Sequence, residues 1–337
     1  MTAFSILDLA PIVEGGDAAQ AFRNALDLAR NGEAWGYKRF WMAEHHSMPG
    51  VASAATSVAL AYVGAGTSTI RIGAGGVMLP NHSPLVIAEQ FGTLASLYPG
   101  RVDLGLGRAP GTDQAAARAL RRTFSNDPNE FPRDVMELQS YFRAPEPGQQ
   151  VRAIPGEGLD IPIWILGSSL FGAQLAAMLG LPYAFASHFA PQAMMDAIRL
   201  YRENFRPSEQ LAEPYVMLGY NVFAADTEDE ARLIATSMQQ AFVSLRTGAP
   251  TALKPPVEGY LESLPAHMQA MLNQIFTATA IGTASTVEAS IKDFIARTGA
   301  DELMITSQVF DHQARLRSFE IAADVLRNEP SALSLAS

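Results

Sequence analysis

Short apolar runs alternate along this chain with longer stretches in which apolar residues recur every three or four positions. The short runs start at Phe4, Tyr37, Ile70, Val102, Ile161, Tyr183, Tyr215 and Glu302. Runs of this length, bounded by Gly, Pro or Asp, predict buried strands. Between them the helical period predicts helices over Ala18–Ala34, Ala52–Gly64, Leu85–Leu97, Thr112–Arg122, Asp134–Phe142, Leu170–Leu179, Gln192–Asn204, Thr283–Arg297 and His312–Arg327. A further helix follows Thr227, which with Glu230 spells a capping box, and reaches about Leu245. Eight strands nearly all followed by helices predict an α/β fold, a TIM (β/α)8 barrel; a doubly wound parallel sheet is the competing arrangement.

Two segments stand outside the alternation. The stretch 247–274 is rich in Pro and Gly and too long for an ordinary connector, so it is expected to be an insertion that covers the site. Ala52–Gly64 carries almost no polar residue beyond Ser and Thr. A helix apolar all round needs cover on both sides, and a second copy of the chain supplies it most simply, which predicts a homodimer. The tail from Asn328 is expected to fray.

At 337 residues the chain fits one large barrel domain spanning 1–337 as readily as two smaller ones. Its formal charge of −10 argues against nucleic acid or an anionic membrane as partner. The absence of cysteine excludes disulfides, thiolate catalysis and Cys-ligated metals, so redox chemistry would need a bound cofactor. The start of the chain lacks the basic residues of a signal peptide, and the uncharged spans before Arg71 and Asp196 are broken by Gly and Pro. The expected protein is soluble and cytoplasmic.

Candidate chemistry gathers at the predicted carboxyl ends of strands, where barrels keep their sites. Glu44-His45-His46 follows the second strand. Adjacent imidazoles diverge and no metal-binding spacing is present, so no metal is expected; one imidazole would move a proton, with the other or Glu44 orienting it. The alternative is a pair of hydrogen-bonded loop histidines. Glycines at 75, 76, 105 and 107 would clear side chains from a pocket floor. Arg108 offers a fixed positive charge for a phosphate, or a salt bridge to a loop carboxylate. Gly167-Ser168-Ser169 opens a helix, giving either an anion site or an ordinary cap. Asp8, Ser187, His188, Asn221, Gln308 and His312 also fall near strand ends and would line the same pocket.

Taken in order, E-H-H after strand two, G-G-V-M-L-P-N-H-S-P after strand three, G-R-V-D-L-G-L-G-R at strand four and strand-G-S-S-helix-G-L-P resemble the bacterial luciferase-like flavin monooxygenases. The resemblance runs from about Phe4 to Leu326. It implies a TIM barrel that takes reduced FMN from a separate reductase and, with dioxygen, oxidises a small organic substrate. It also implies a non-prolyl cis peptide at Gly75-Gly76 beneath the flavin ring, His45 as catalytic histidine, and Arg108, Ser168 and Ser169 around the phosphate, with Gly107 and Gly167 beside them. Gly107, Ser168 and Gly172 stand where luciferase itself has cysteine, glutamate and threonine, so its long-chain aldehyde substrate does not carry over. Hydride transfer with the deazaflavin F420, flavin storage without turnover and a metal-dependent hydrolase are the other readings.

Overall fold

In the computed structural model, residues 2–109, 116, 119–120, 127 and 129–327 are described. Nearly all of the helix expected over Thr112–Arg122, with Arg118, Arg121 and Arg122, lies outside them, as does the tail from Asn328. The strands are β1 (Ala3–Asp8), β2 (Arg39–Met42), β3 (Arg71–Met78), β4 (Val102–Gly107), β5 (Ile163–Gly167), β6 (Tyr183–Phe185), β7 (Val216–Ala224), β8 (Thr279–Gly282) and β9 (Glu302–Thr306). All pairings between them are parallel. β1 to β7 pair in sequence, and β9 closes the ring between β7 and β1, giving the eight-stranded barrel that the alternation predicts.

β8 is the strand that the pattern misses. Asn221 on β7 aligns with both Thr306 of β9 and Thr279 of β8, so β8 shares the β6 edge of β7, beyond the point where β6 stops. The four-residue strand is too short to stand out from the segment before it.

The surrounding helices are α1 (Ala18–Ala34), α2 (Thr56–Ala65), α3 (Pro84–Leu97), α4 (Glu130–Phe142), α5 (Leu170–Leu179), α6 (Met194–Asn204), α7 (Glu228–Arg246), α8 (Tyr260–Ser263), α9 (Ala266–Ile275), α10 (Ala284–Thr298) and α11 (His312–Arg327). Their inward faces and the outward strand residues form the main core, including Leu28, Phe40, Ile72, Phe91, Leu104, Phe294 and Phe319. Among the described residues, no helix is long and apolar enough to cross a membrane.

Local chemistry explains where helix ends depart from expectation. α2 starts at Thr56 instead of Ala52 because the preceding residues are bound to the barrel: Ala52 N–H donates to the Ala10 carbonyl and the Ser53 hydroxyl to the Ala43 carbonyl. α4 starts at Glu130 instead of Asp134, with Pro132 in its first turn, where no N–H is required. α7 starts as expected, with the Thr227 hydroxyl accepting from the Glu230 N–H at 3.2 Å.

The insertion 247–274 is present but partly structured. α9 packs Leu272 and Ile275, and α8 packs Leu261, into the apolar cluster of α7. Its leading edge pairs with the loop after β1: Leu253 N–H donates to the Ile12 carbonyl at 2.9 Å and Glu14 N–H to the Leu253 carbonyl at 2.8 Å. The insertion is thereby fastened on the carboxyl side of the barrel, next to the mouth.

Candidate active site at the carboxyl ends of the strands

Side chains alternate across each strand, so every second residue points into the barrel. At the amino end those residues are charged. Arg39 donates to Asp103 at 2.7 Å and to Glu302 at 2.9 Å. Arg71 adds a second cation to Asp103, Tyr215 donates to Glu302 at 2.8 Å, and Ser5 also donates to Glu302. Mutual pairing offsets the cost of removing these charges from water. Above them, Trp41 and Trp164 meet edge to face with centroids 5.2 Å apart, packed with Leu7, Met217 and Met304. The barrel is filled from below, so chemistry is confined to its carboxyl mouth.

At that mouth the E-H-H stretch divides into two roles. Glu44 is 2% exposed. Its Oε1 accepts from His46 Nε2 at 2.7 Å and from His82 Nε2 at 2.8 Å, while Oε2 accepts from the Met78 N–H at 3.1 Å. Burial opposes its charge, yet the His82 hydrogen bond and charge, then the bonds from His46 and Met78, hold its carboxyl below the usual range. Among the described residues, the ligand atoms of these three side chains lie within 4.8 Å of one another, a grouping that could hold a metal ion. The separations of 2.7 and 2.8 Å are hydrogen-bond lengths. Two ligands of one zinc ion, each about 2.0–2.1 Å from it, stand about 3.3 Å apart in a tetrahedral site. Glu44 therefore serves as a shared acceptor here.

His45 turns elsewhere. Its Nδ1 is buried without a partner. Burial lowers its pKa, Glu44 opposing and His46 reinforcing the shift. His188, at the end of β6, has a buried Nδ1 in the same condition. Burial, then the charge of His45, pushes its pKa down to about 4. Its ring enters the barrel over Gly219, where an added Cβ would stand 2.0 Å from Nδ1. Ser187 and Asn221 support this placement: the Ser187 hydroxyl donates to the Gly219 carbonyl at 2.6 Å and Asn221 Nδ2 to the His188 carbonyl at 2.9 Å. Two neutral imidazoles with unpartnered nitrogens thus reach the mouth, one from β2 and one from β6.

Arg108 and Gly167-Ser168-Ser169 come together on neighbouring strand ends, since Gly107 aligns with Leu166. The Arg108 guanidinium lies 4.1 Å from the centre of the Phe171 ring, in the first turn of α5. Among the described residues it pairs with no carboxylate. Ser169 occupies the N-cap position of α5 but makes no side-chain cap bond. An exposed cation and an uncapped helix N-terminus side by side suit an anion.

The glycines do not leave an open floor. An added Cβ would meet Leu7 Cδ1 at 2.9 Å from Gly75, the Gly105 carbonyl oxygen at 2.7 Å from Gly76, the Ala74 carbonyl oxygen at 2.3 Å from Gly105, and Met78 Sδ at 2.9 Å from Gly107. Gly76, Gly105 and Gly107 serve the close approach of β3 to β4, whose register is irregular between Ala74 and Val77, while Gly75 leaves room for Leu7 and Trp41 inside the barrel. The Gly75-Gly76 peptide bond is cis, as the resemblance implies. Both glycines lie inside β3; the strand continues to Met78 instead of ending at Ala74.

Other expected lining residues belong to the scaffold. Asp8 receives Arg315 Nη2 and the Ala10 N–H, each at 2.8 Å. His312 faces Asp27 of α1 at 2.9 Å. Sequence reading assigned no role to His82 or Arg315; the N-H-S-P motif contains the first, and no local pattern marks the second.

This barrel, closed by charge below and carrying unpartnered imidazoles and an anion-suited corner above, has the build of a small-molecule enzyme that works at its strand ends. Residues 2–302 match the family of luciferase-like monooxygenases, and the chain belongs to that family. It is 55% identical over 323 residues to the luciferase-like monooxygenase of Escherichia coli (strain K12), covering 96% of each chain. It is 35% identical over 278 residues to the N-acetyl-S-alkylcysteine monooxygenase of Bacillus subtilis (strain 168), covering 78% of this chain and 80% of that one. The crystal structure of apo-MsnO8 superposes with TM-score 0.86 at 31% identity, covering 98% and 100% of the two chains. Two structures share the fold alone. The oxygenating constituent of 3,6-diketocamphane monooxygenase from Pseudomonas putida, in complex with FMN, has TM-score 0.71 at 17% identity, covering 98% and 99%. An F420-dependent secondary alcohol dehydrogenase with an F420-acetone adduct has TM-score 0.69 at 14%, covering 97% and 99%.

Proposed function

We propose that the chain is an FMN-dependent monooxygenase that takes reduced FMN from a separate flavin reductase and uses dioxygen to oxidise a small organic substrate, acting as a cytoplasmic homodimer. The observation that carries this reading is the corner formed by Arg108 and the uncapped N-terminus of α5, on the same rim as His45 and Gly75. Arg108 with the amides and hydroxyls of Ser168 and Ser169 would hold the phosphate, with Gly107 and Gly167 beside them adding no side chain to that corner. The Gly75-Gly76 backbone would support the ring. When bound, reduced FMN supplies the electrons that activate dioxygen. His45, held neutral by burial, would take up or release a proton at a ring nitrogen, with Glu44 behind it. The insertion 247–274, fastened beside the mouth, would keep water out.

The N-acetyl-S-alkylcysteine monooxygenase and the FMN complex support this reading. Hydride transfer with F420 is the second reading, favoured by the barrel shared with the F420-dependent dehydrogenase.

Anaerobic titration decides between them. The chain is expected to bind reduced FMN more tightly than reduced F420, and Arg108→Ala to weaken FMN about tenfold or more, as loss of a charged hydrogen-bond donor implies. Tighter binding of F420, or an unchanged FMN affinity in the variant, overturns the FMN reading.

A further inference from the structure

The proposed chemistry gives His46 and His82 no part, yet both are joined to Glu44 in one cluster. Both imidazoles converge on Glu44 Oε1, one from the loop after β2 and one from the connection between β3 and α3. The other oxygen holds the Met78 N–H. A carboxylate this buried is tolerated because its lone pairs meet donors. Met78 is the last residue of β3 and aligns with Gly107, and its Sδ occupies the space that a Cβ at 107 would need. One carboxylate therefore connects the loop of His45, the strand end after Gly75-Gly76 and, through Met78, the strand end before Arg108.

We propose that Glu44 and His82 are positioning residues: the Glu44 carboxylate fixes the Met78 amide, and with it the Gly75-Gly76 and Gly107-Arg108 ends, while its negative charge stands one residue away from the buried His45. His82, with its side chain 25% exposed, closes this clasp from the solvent side. The titratable groups whose charge bears on His45 are Glu44 and His46 on its own loop and His188 after β6. Only Glu44 among them favours a proton on His45. The consequence for flavin rests on the proposed function; the consequence for His45 does not.

The test uses isotope-labelled full-length chain: wild type, Glu44→Gln, His82→Ala and His82→Gln, the last keeping an N–H donor near the place of Nε2. Nuclear magnetic resonance follows the titration of His45 and the hydrogen exchange of the Met78 amide, and anaerobic titration follows reduced FMN. In Glu44→Gln the His45 midpoint is expected to fall below that of wild type. His82→Ala is expected to speed Met78 exchange and weaken FMN, each about tenfold, and His82→Gln to recover both to within about threefold, the scale of one hydrogen bond. An unchanged His45 midpoint in Glu44→Gln, or a His82→Ala chain that keeps wild-type Met78 exchange, overturns the proposal. If Glu44→Gln does not fold, the His82 pair decides it. If wild type fails to bind reduced FMN, the flavin reading falls while His45 and Met78 still decide this one.

Discussion

Individual residues in this barrel are chosen by what stands next to them in space. Gly105 lies within β4 and Gly167 ends β5, and their surroundings differ. A Cβ at 105 would press on backbone, the Ala74 carbonyl at 2.3 Å, whereas at 167 its nearest contact is Tyr183 Oη at 3.5 Å. Backbone cannot rotate aside as a side chain can. Gly105→Ala is therefore expected to destabilise by about 2 kcal/mol or more and Gly167→Ala to stay within about 0.5 kcal/mol, read from urea unfolding. Equal effects would contradict the packing described.

His188 makes a pH prediction of the same local kind. Its pKa is about 4 in the folded chain against an ordinary 6.5, so between those values the unfolded chain binds more protons. Stability then rises with pH across that window: the contribution is full above about 6.5 and lost as pH falls toward 4, to the extent of roughly 3 kcal/mol. Glu33 acts lower. Hydrogen bonds from Thr69, Ile70 and Ser68 overcome its burial and bring it to about 2, so its contribution is lost only below the ordinary carboxylate range. Urea midpoints from pH 7.5 to 4.5 should fall less in His188→Gln than in wild type; equal slopes would contradict a buried neutral imidazole.

Among the elements, α2 carries the clearest consequence. Val58, Tyr62 and Ala65 follow one another at helical spacing along its outer face, with Val58 70% and Tyr62 44% exposed. On the neighbouring α3, Val86 is 43% and Leu97 60% exposed. Apolar surface of this extent fits a second copy of the chain. Wild type is expected to sediment as a dimer and Val58→Glu with Tyr62→Glu as a monomer; a monomeric wild type would remove the interface.

Most elements were legible because each depends on its own residues. Thr227 caps α7 through the Glu230 amide, and apolar residues dominate the barrel strands apart from charged positions such as Arg39, Asp103 and Glu302. β8 was hidden because its pairing depends on β7 extending beyond β6, a property of another part of the chain.

At the scale of the whole molecule, closure of the ring is what creates the site. β2 carries Glu44 and His45, β3 Gly75-Gly76, β4 Arg108 and β5 Ser168-Ser169, and these strands are consecutive neighbours, so motif order alone placed them on one rim. The His82 partnership with Glu44 and the seat of His188 on Gly219 were not legible, because each joins residues from separate strands or loops that only the closed barrel brings into contact. The charged layer below, joining Arg39 and Asp103 to Glu302 of the last strand, was hidden for the same reason.

The central claim is that this rim holds FMN, and a crystal structure of the chain soaked with FMN tests it most directly. The expected density has the phosphate against Arg108 and the N-terminus of α5 and the ring beside Gly75-Gly76, with His45 facing it. A phosphate lodged elsewhere, or a flavin that leaves this rim empty, would contradict the account.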